Sequence, residues 1–159
     1  MLATGIIFLN ISLVTFAMAW GGIVYQHRVE YPNWSNYIPD SIKIYREFTK
    51  AASFGQFFTL VMPLSGLSLF VALILLWNST PVFYLLLALA GMVFTAGFTN
   101  RFFILKHQVL FSENLSSKTN EELKMIARQW RNGNYIRMII MALTLLSLVW
   151  ANVEALLYF

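Results

Sequence analysis

The chain has 159 residues, of which 58% are hydrophobic and only 11% are charged, and its formal net charge is +4. A soluble domain of this size does not need so much apolar surface, because part of its surface must face water. The chain contains no cysteine, which excludes disulfide exchange, thiolate catalysis and cysteine-ligated metal centres. The composition therefore predicts an integral, multi-pass membrane protein.

Four apolar runs follow one another along the chain, at residues 3–25, 51–77, 82–99 and 135–158. Each reaches or nearly reaches the roughly 20 residues that a helix needs to cross a bilayer. The first run lacks a basic start and a small-residue cleavage site, so we predict a retained helix rather than a signal peptide. The third is expected to continue as a helix to about residue 110. The predicted fold is all-α: residues 1–159 form one domain, a four-helix transmembrane bundle with cytoplasmic helix extensions.

The basic residues predict how this bundle is oriented. All 11 lysines and arginines fall within residues 26–50 and 100–137, and a four-helix topology places both segments on the same side. The positive-inside rule assigns that side to the cytoplasm and both termini to the outside, in the cytoplasmic (inner) membrane. The same bias accounts for the net charge, so we predict contact with membrane lipids and no nucleic-acid partner.

The first polar segment, residues 26–50, is rich in aromatic side chains and carries Pro32 and Pro39. Because proline interrupts helices, both residues are expected to stop them. Aromatic side chains suit the headgroup region of a membrane. We therefore predict an interfacial loop here, followed by an amphipathic turn at residues 41–48.

The second polar segment leads into the last apolar run. Thr119 and Glu122 have the spacing of a capping box, in which each side chain satisfies the other's backbone N–H. This spacing predicts that the last helix begins near Asn120, well before its apolar part. Gly133 lies inside that helix and marks either a bend or a close contact.

Trp130, Asn134 and Arg137 share one helical face at i, i+4 and i+7, where the last apolar run begins. An arginine at this depth can extend to the headgroups, and a tryptophan suits the interface. Asn134, however, adds nothing to such anchoring. An amide, a guanidinium and an indole N–H that converge on one point predict a site for an anionic or carbonyl oxygen. The alternative is a polar cluster that only holds helices together.

His27 and Glu30 are a histidine and a carboxylate at i, i+3. With His107, the only other histidine, they would form a two-histidine, one-carboxylate metal site if all three met in space. Di-iron bundles require two such pairs and further carboxylates, and this chain has one pair in reversed order. A carboxylate near a membrane surface also commonly pairs with a basic neighbour. We predict no metal and no cofactor.

Four motifs, taken together, resemble those of the anthrone-oxygenase-like membrane proteins. They are "GIVYQHRVEYP" (22–32), "YREF" (45–48), "FTAGFTNRFF" (94–103) and "QWRNGNYIR" (129–137), and they span nearly the whole chain in order. The residues that match the family pattern are Tyr25, Glu30, Pro32, Asn100, Trp130, Asn134 and Arg137. Asn134 stands where many relatives have histidine, so this chain has lost or altered the activity if that histidine is the catalytic base.

The resemblance implies a compact four-helix membrane bundle. Fungal members of the family are oxygenases that convert anthrones to anthraquinones with molecular oxygen and no obvious cofactor, whereas most bacterial members have no assigned role. Carried over, this implies an apolar aromatic substrate from the bilayer, with Tyr25, Asn100 and Trp130 in contact with it. Glu30 or His27 would remove a proton from carbon. Arg137 and Asn134 would stabilise the enolate oxygen.

Two other functions are consistent with the same residues. One is a protein that binds or transports a lipid-like or quinone-like molecule without chemistry. The other is a structural bundle whose polar cluster holds its helices together. Oxygen consumption with an anthrone distinguishes the oxygenase from both, and a co-purifying apolar molecule distinguishes the binding protein from the structural bundle.

Overall fold

The computed structural model describes residues 2–111 and 118–157. These ranges contain five helices and no strand: α1 (Leu2–Ser35), α2 (Asp40–Phe48), α3 (Phe54–Leu75), α4 (Val82–Phe111) and α5 (Asn120–Leu157). All except α2 are long and apolar enough to cross a membrane. The protein is therefore an all-α bundle and a multi-pass membrane protein, as the sequence predicts.

The four long helices pack as two close pairs. Helix α1 packs most extensively against α3, α4 packs against α5, and α1 and α5 join the pairs. Where α1 crosses α3, the hydroxyl of Ser65 donates to the carbonyl of Ser12 at 3.1 Å, and small side chains here let the helices approach closely. Helices α3 and α4 are joined by the short segment 76–81 but make few contacts with each other. They therefore leave a gap between them.

The long helices reach well beyond the apolar spans. Helix α5 has 38 residues, which corresponds to about 57 Å at 1.5 Å per residue, whereas a bilayer core is about 30 Å thick. Beyond the spans, Trp34, Ile42, Leu110 and Leu123 form a second, separate hydrophobic cluster in which all four are buried. The polar segments therefore fold into a packed cap that extends the bundle.

The predictions that Pro32 ends a helix and that residues 26–40 form a loop are wrong, whereas the amphipathic turn predicted at residues 41–48 is confirmed as a helix. Helix α1 continues to Ser35, and Asp40–Phe48 is helix α2. Pro32 is tolerated because it lies in the first turn of the segment Tyr31–Ser35, directly after a π-helical turn at Gln26–Glu30. At a π-helical turn the regular i→i−4 hydrogen bonds are already interrupted, so the N–H that proline lacks costs less here than inside a regular helix.

The predicted start of α5 is confirmed. The helix begins at Asn120, the backbone N–H of Thr119 donates to Glu122 Oε2 at 2.9 Å, and the N–H of Glu122 donates to Thr119 Oγ1 at 3.3 Å. Gly133 marks a close contact rather than a bend. A Cβ at this position would lie 2.1 Å from Cε1 of Phe102 on α4, so the absence of a side chain lets the Phe102 ring reach the backbone of α5.

Candidate functional site

A cavity of about 520 Å³ lies between α3 and α4, at the end of the bundle that carries the cap. Helices α1 and α5 form its inner wall. Its polar lining residues are Gln26, Thr59, Thr99, Asn100, His107, Gln108 and Arg137. Its apolar lining residues include Ile23, Phe58, Met62, Phe103, Ile104 and Met141. The cavity therefore combines an apolar wall with a polar patch.

The guanidinium of Arg137 is held by residues of two other helices, α1 and α4, and by Asn134 of its own helix. Its Nε donates to Asn134 Oδ1 at 3.1 Å, and its Nη2 donates to the same oxygen and, at 3.5 Å, to Gln26 Oε1. The ring centroid of Phe103 lies 4.1 Å from the guanidinium carbon. Asn134 is fully buried, and its Nδ2 donates to the carbonyl of Ile23 at 3.5 Å. The group is thereby fixed in one orientation.

Arg137 has no carboxylate partner among the residues that the structure describes. The four ion pairs in this part of the chain all join exposed side chains three or four residues apart. Arg137 is only 7% exposed, and within the described residues its Nη1 donates no hydrogen bond. A buried charge without a counter-ion is unfavourable, and in a membrane protein such a group is a candidate functional residue. The guanidinium of Arg137 can therefore donate a hydrogen bond to a negatively polarised oxygen in the cavity.

Two π-helical turns flank this site. One contains Gln26 (Gln26–Glu30 in α1), and the other contains Asn100 and Phe103 (Thr99–Phe103 in α4). A π turn inserts one extra residue and rotates the residues that follow, and such turns occur frequently at functional sites. Asn100 and His107 both line the cavity. His107 and Arg137 are the only ionisable side chains among the described residues that line it.

Glu30 and His27 lie outside the cavity. Glu30 Oε2 accepts a hydrogen bond from Tyr45 of α2 at 2.9 Å. Burial and the neighbouring Glu30 carboxylate raise the pKa of Tyr45, so its hydroxyl stays protonated and able to donate. The His27 ring lies 6.1 Å from the Tyr135 ring, and its buried Nδ1 has no hydrogen-bond partner in residues 2–111 and 118–157. The structure therefore separates both predicted bases from Arg137.

The alternative metal site finds no support in the part of the chain that the structure describes. No three His, Cys, Asp or Glu side chains there lie close enough together to hold a metal ion. His107 lines the cavity, whereas His27 and Glu30 do not. The proposed two-histidine, one-carboxylate set is therefore not assembled.

Trp130 lies behind the site rather than in it. Its ring stacks on Tyr31 at 6.0 Å and meets Trp34 and Phe103 edge to face at 5.4 and 5.8 Å. Its buried Nε1 has no hydrogen-bond partner among the described residues, and an aromatic face is the acceptor that edge-to-face neighbours can offer such an N–H. Trp130 is therefore not among the residues that line the cavity with Arg137. Tyr25, also predicted to contact substrate, instead stacks on Phe54 outside the cavity.

Gln26, Thr59 and Gln108 line the cavity but were not predicted from the sequence, and His107 was predicted only as a candidate metal ligand. Gln26 had a detectable signal. Ala19, Ile23 and Gln26 recur at i, i+4 and i+7 on α1, and all three are buried. A glutamine that continues a core-facing stripe is expected to point into the bundle.

Comparisons of this chain with known protein families, with characterised proteins and with solved structures found no match. The assignment of a function therefore rests on the geometry around Arg137.

Proposed function

We propose that the protein binds an apolar small molecule from the bilayer and that an anionic or carbonyl oxygen of this molecule pairs with Arg137. The observation that supports this most is the buried guanidinium, which lines a cavity of about 520 Å³ without a carboxylate partner in the described residues. Asn134 Oδ1 occupies the Nε–Nη2 edge of the guanidinium. The Nη1 group is therefore the donor left for a ligand oxygen, and such charge-assisted bonds are strong.

The ligand would enter this site laterally from the bilayer, between α3 and α4. The cavity lies where α3 and α4 make few contacts, and both helices are long enough to span a bilayer. The apolar wall formed by Phe58, Met62 and Ile104 favours the hydrocarbon part of an amphiphile. In the orientation that the basic segments favour, with the cap in the cytoplasm and both termini outside the inner membrane, the cavity opens to the cytoplasmic leaflet.

A bulky residue at the opening tests this function. Ala96 lines the cavity from α4, so Ala96→Trp is expected to fill the opening and exclude a ligand. We expect the wild-type protein, purified in mild detergent, to retain an apolar molecule in native mass spectrometry and organic extraction. We also expect it to bind a fluorescent long-chain fatty acid, and Ala96→Trp to reduce both signals about tenfold or more.

Ala90→Trp is the matched control. Ala90 lies on the same helix and is also exposed, but it does not line this cavity. We expect this variant to bind like the wild type. Equal ligand signals in Ala96→Trp and Ala90→Trp, or no binding by the wild-type protein, would contradict a ligand site between α3 and α4.

A second candidate function is a cofactor-free oxygenase that acts on an anthrone-like substrate. The specific observation in its favour is that His107, a residue able to act as a base, lines the same cavity as Arg137. His107, in place of Glu30 or His27, would remove the acidic C–H proton, and Arg137 would stabilise the enolate oxygen. The carbanion would then react with molecular oxygen, and conversion of the anthrone to an anthraquinone would release water. The resemblance of the four motifs points to the same chemistry.

Oxygen uptake with an anthrone decides whether this chemistry occurs. If His107 is the base, His107→Gln is expected to lower turnover about 100-fold, because general-base catalysis typically contributes a factor of this order. Binding of the anthrone is expected to persist in the variant. Glu30→Gln serves as a control that retains turnover, because Glu30 bonds Tyr45 outside the cavity. If wild-type protein binds the anthrone without oxygen uptake, the binding function stands and the oxygenase does not.

A further inference from the structure

The outer face of α1 presents a carboxamide to the surroundings of the bundle. Asn10 is exposed on this face, beside the exposed side chains of Ile7, Ile11 and Val14. Together they line a shallow groove of about 410 Å³. Asn10 lies within four residues of the middle of the apolar segment Leu2–Tyr25, which corresponds to about 5 Å along the helix. In a membrane, this side chain lies in the hydrocarbon region.

The carboxamide is only partly satisfied within its own helix. Its Nδ2 donates to the carbonyl of Ile6 at 2.9 Å. Among the residues that the structure describes, Oδ1 accepts no hydrogen bond. The hydrocarbon region offers no water to complete the set, and polar groups exposed to it without partners are unfavourable. An interhelical hydrogen bond is the usual way for an asparagine in this position to gain a partner.

We propose that this face of α1 is the interface with a second copy of the same chain and that the two Asn10 carboxamides bond each other. A carboxamide carries both a donor and an acceptor, so it is complementary to itself. A two-fold axis normal to the membrane brings identical residues together at equal depth. The neighbours Ile7, Ile11 and Val14 are apolar and β-branched and add packing but no charge, so nothing on this face would select a charged partner.

The interface leaves the proposed ligand site open. Ile23, which lines the cavity from α1, lies 13 residues after Asn10, and a helix turns by about 100° per residue. The two side chains therefore point about 140° apart around the helix. The dimer does not depend on the proposed ligand site, and loss of the dimer is expected to leave ligand binding unchanged.

Single cysteines test the interface cleanly because the chain contains none of its own. We expect Ile7→Cys and Val14→Cys to give a covalent dimer when native membranes are oxidised with copper phenanthroline. Leu67→Cys is the control, because Leu67 is 66% exposed on α3 and does not line the groove. Equal cross-linking at position 67, or cross-links from α1 only to a different protein, would overturn the proposal.

A second measurement tests the carboxamide itself. We expect Asn10→Leu to raise the dimer dissociation constant in lipid vesicles about tenfold, because the variant cannot form the interhelical hydrogen bonds of the carboxamide. Förster transfer between labelled copies measures this constant. Asn10→Gln keeps a donor and an acceptor and is expected to retain most of the dimer. An unchanged dissociation constant in a folded Asn10→Leu variant, or a wild-type protein that stays monomeric at high protein-to-lipid ratio, would refute the assignment.

Discussion

Replacing Arg137 by leucine is expected to weaken ligand binding strongly while the bundle stays folded. A hydrogen bond to a charged group is worth about 1.5–3 kcal/mol, so binding of a fatty acid or an anthrone should weaken about 10- to 100-fold. Titration of purified variants in detergent or nanodiscs with a fluorescent fatty acid measures this loss. If the oxygenase function holds, turnover disappears as well.

The stability of the same variant separates a ligand site from a structural cluster. Leucine removes a buried charge that has no carboxylate partner among the described residues, and this relieves a desolvation penalty of several kcal/mol. It also leaves Asn134 Oδ1 without the donors it now has, at about 1–3 kcal/mol. These effects oppose each other, so we expect little change in melting temperature. A large loss of stability would instead support a cluster that only holds helices together.

Two further variants sharpen this comparison. Arg128→Leu makes the same chemical change at an exposed position of α5 and is expected to bind ligand normally. Arg137→Lys keeps the charge but loses the planar fork that bonds Asn134 and the ligand together, so partial binding is expected. If Arg137→Leu and Arg128→Leu bind the ligand equally well, Arg137 is not the ligand's partner.

The spans of this bundle were predictable because a bilayer restricts what can cross it. Backbone groups in hydrocarbon must bond within the segment, so a long apolar run such as residues 54–75 is compatible with little besides a helix. The cap was not predictable in the same way. The π-helical turn at Gln26–Glu30, which precedes Pro32, depends on tertiary packing and leaves no periodic signal in the sequence.

The candidate site was predicted in part, and the partial failure has a geometric cause. Asn134 and Arg137 are three residues apart on one helical face, so they are neighbours and their hydrogen bond follows from the spacing. Trp130 shares that face but lies seven residues from Arg137, about 10 Å away along the axis. At that distance it meets the aromatic residues of the cap. A shared helical face predicts the direction in which side chains point. Which residues they contact depends on the neighbouring helices.

The partner of Glu30 illustrates the same limit. Its hydrogen bond to Tyr45 crosses between α1 and α2. The end of α1 at residue 35 was not predictable from the sequence, so this contact could not be inferred. His107 was likewise evaluated as a metal ligand because it was one of only two histidines. Its position in the cavity that Arg137 also lines depends on the gap between α3 and α4, which no local pattern encodes.

Replacing Gly91 by alanine is expected to destabilise the bundle more than any other single methyl addition to α4. A Cβ at Gly91 would lie 2.1 Å from Thr144 Oγ1 and 3.1 Å from Thr144 Cβ on α5. Helices α4 and α5 form one of the two closely packed pairs, so the overlap forces them apart or displaces the Thr144 side chain. Overpacking of this kind costs about 1–3 kcal/mol. We expect a melting temperature lower by several degrees in detergent.

Gly97→Ala is the matched control, because Gly97 lies on the same helix and a Cβ there has nothing within 4 Å. Since alanine is a better helix former than glycine, this variant should be as stable as the wild type or slightly more stable. Combining Gly91→Ala with Thr144→Ala removes the 2.1 Å overlap but leaves the Cβ contact at 3.1 Å, so we expect partial and not full recovery. Equal melting temperatures for Gly91→Ala and Gly97→Ala would contradict the close approach of α4 and α5 at Gly91, because a side chain would then fit between the two helices.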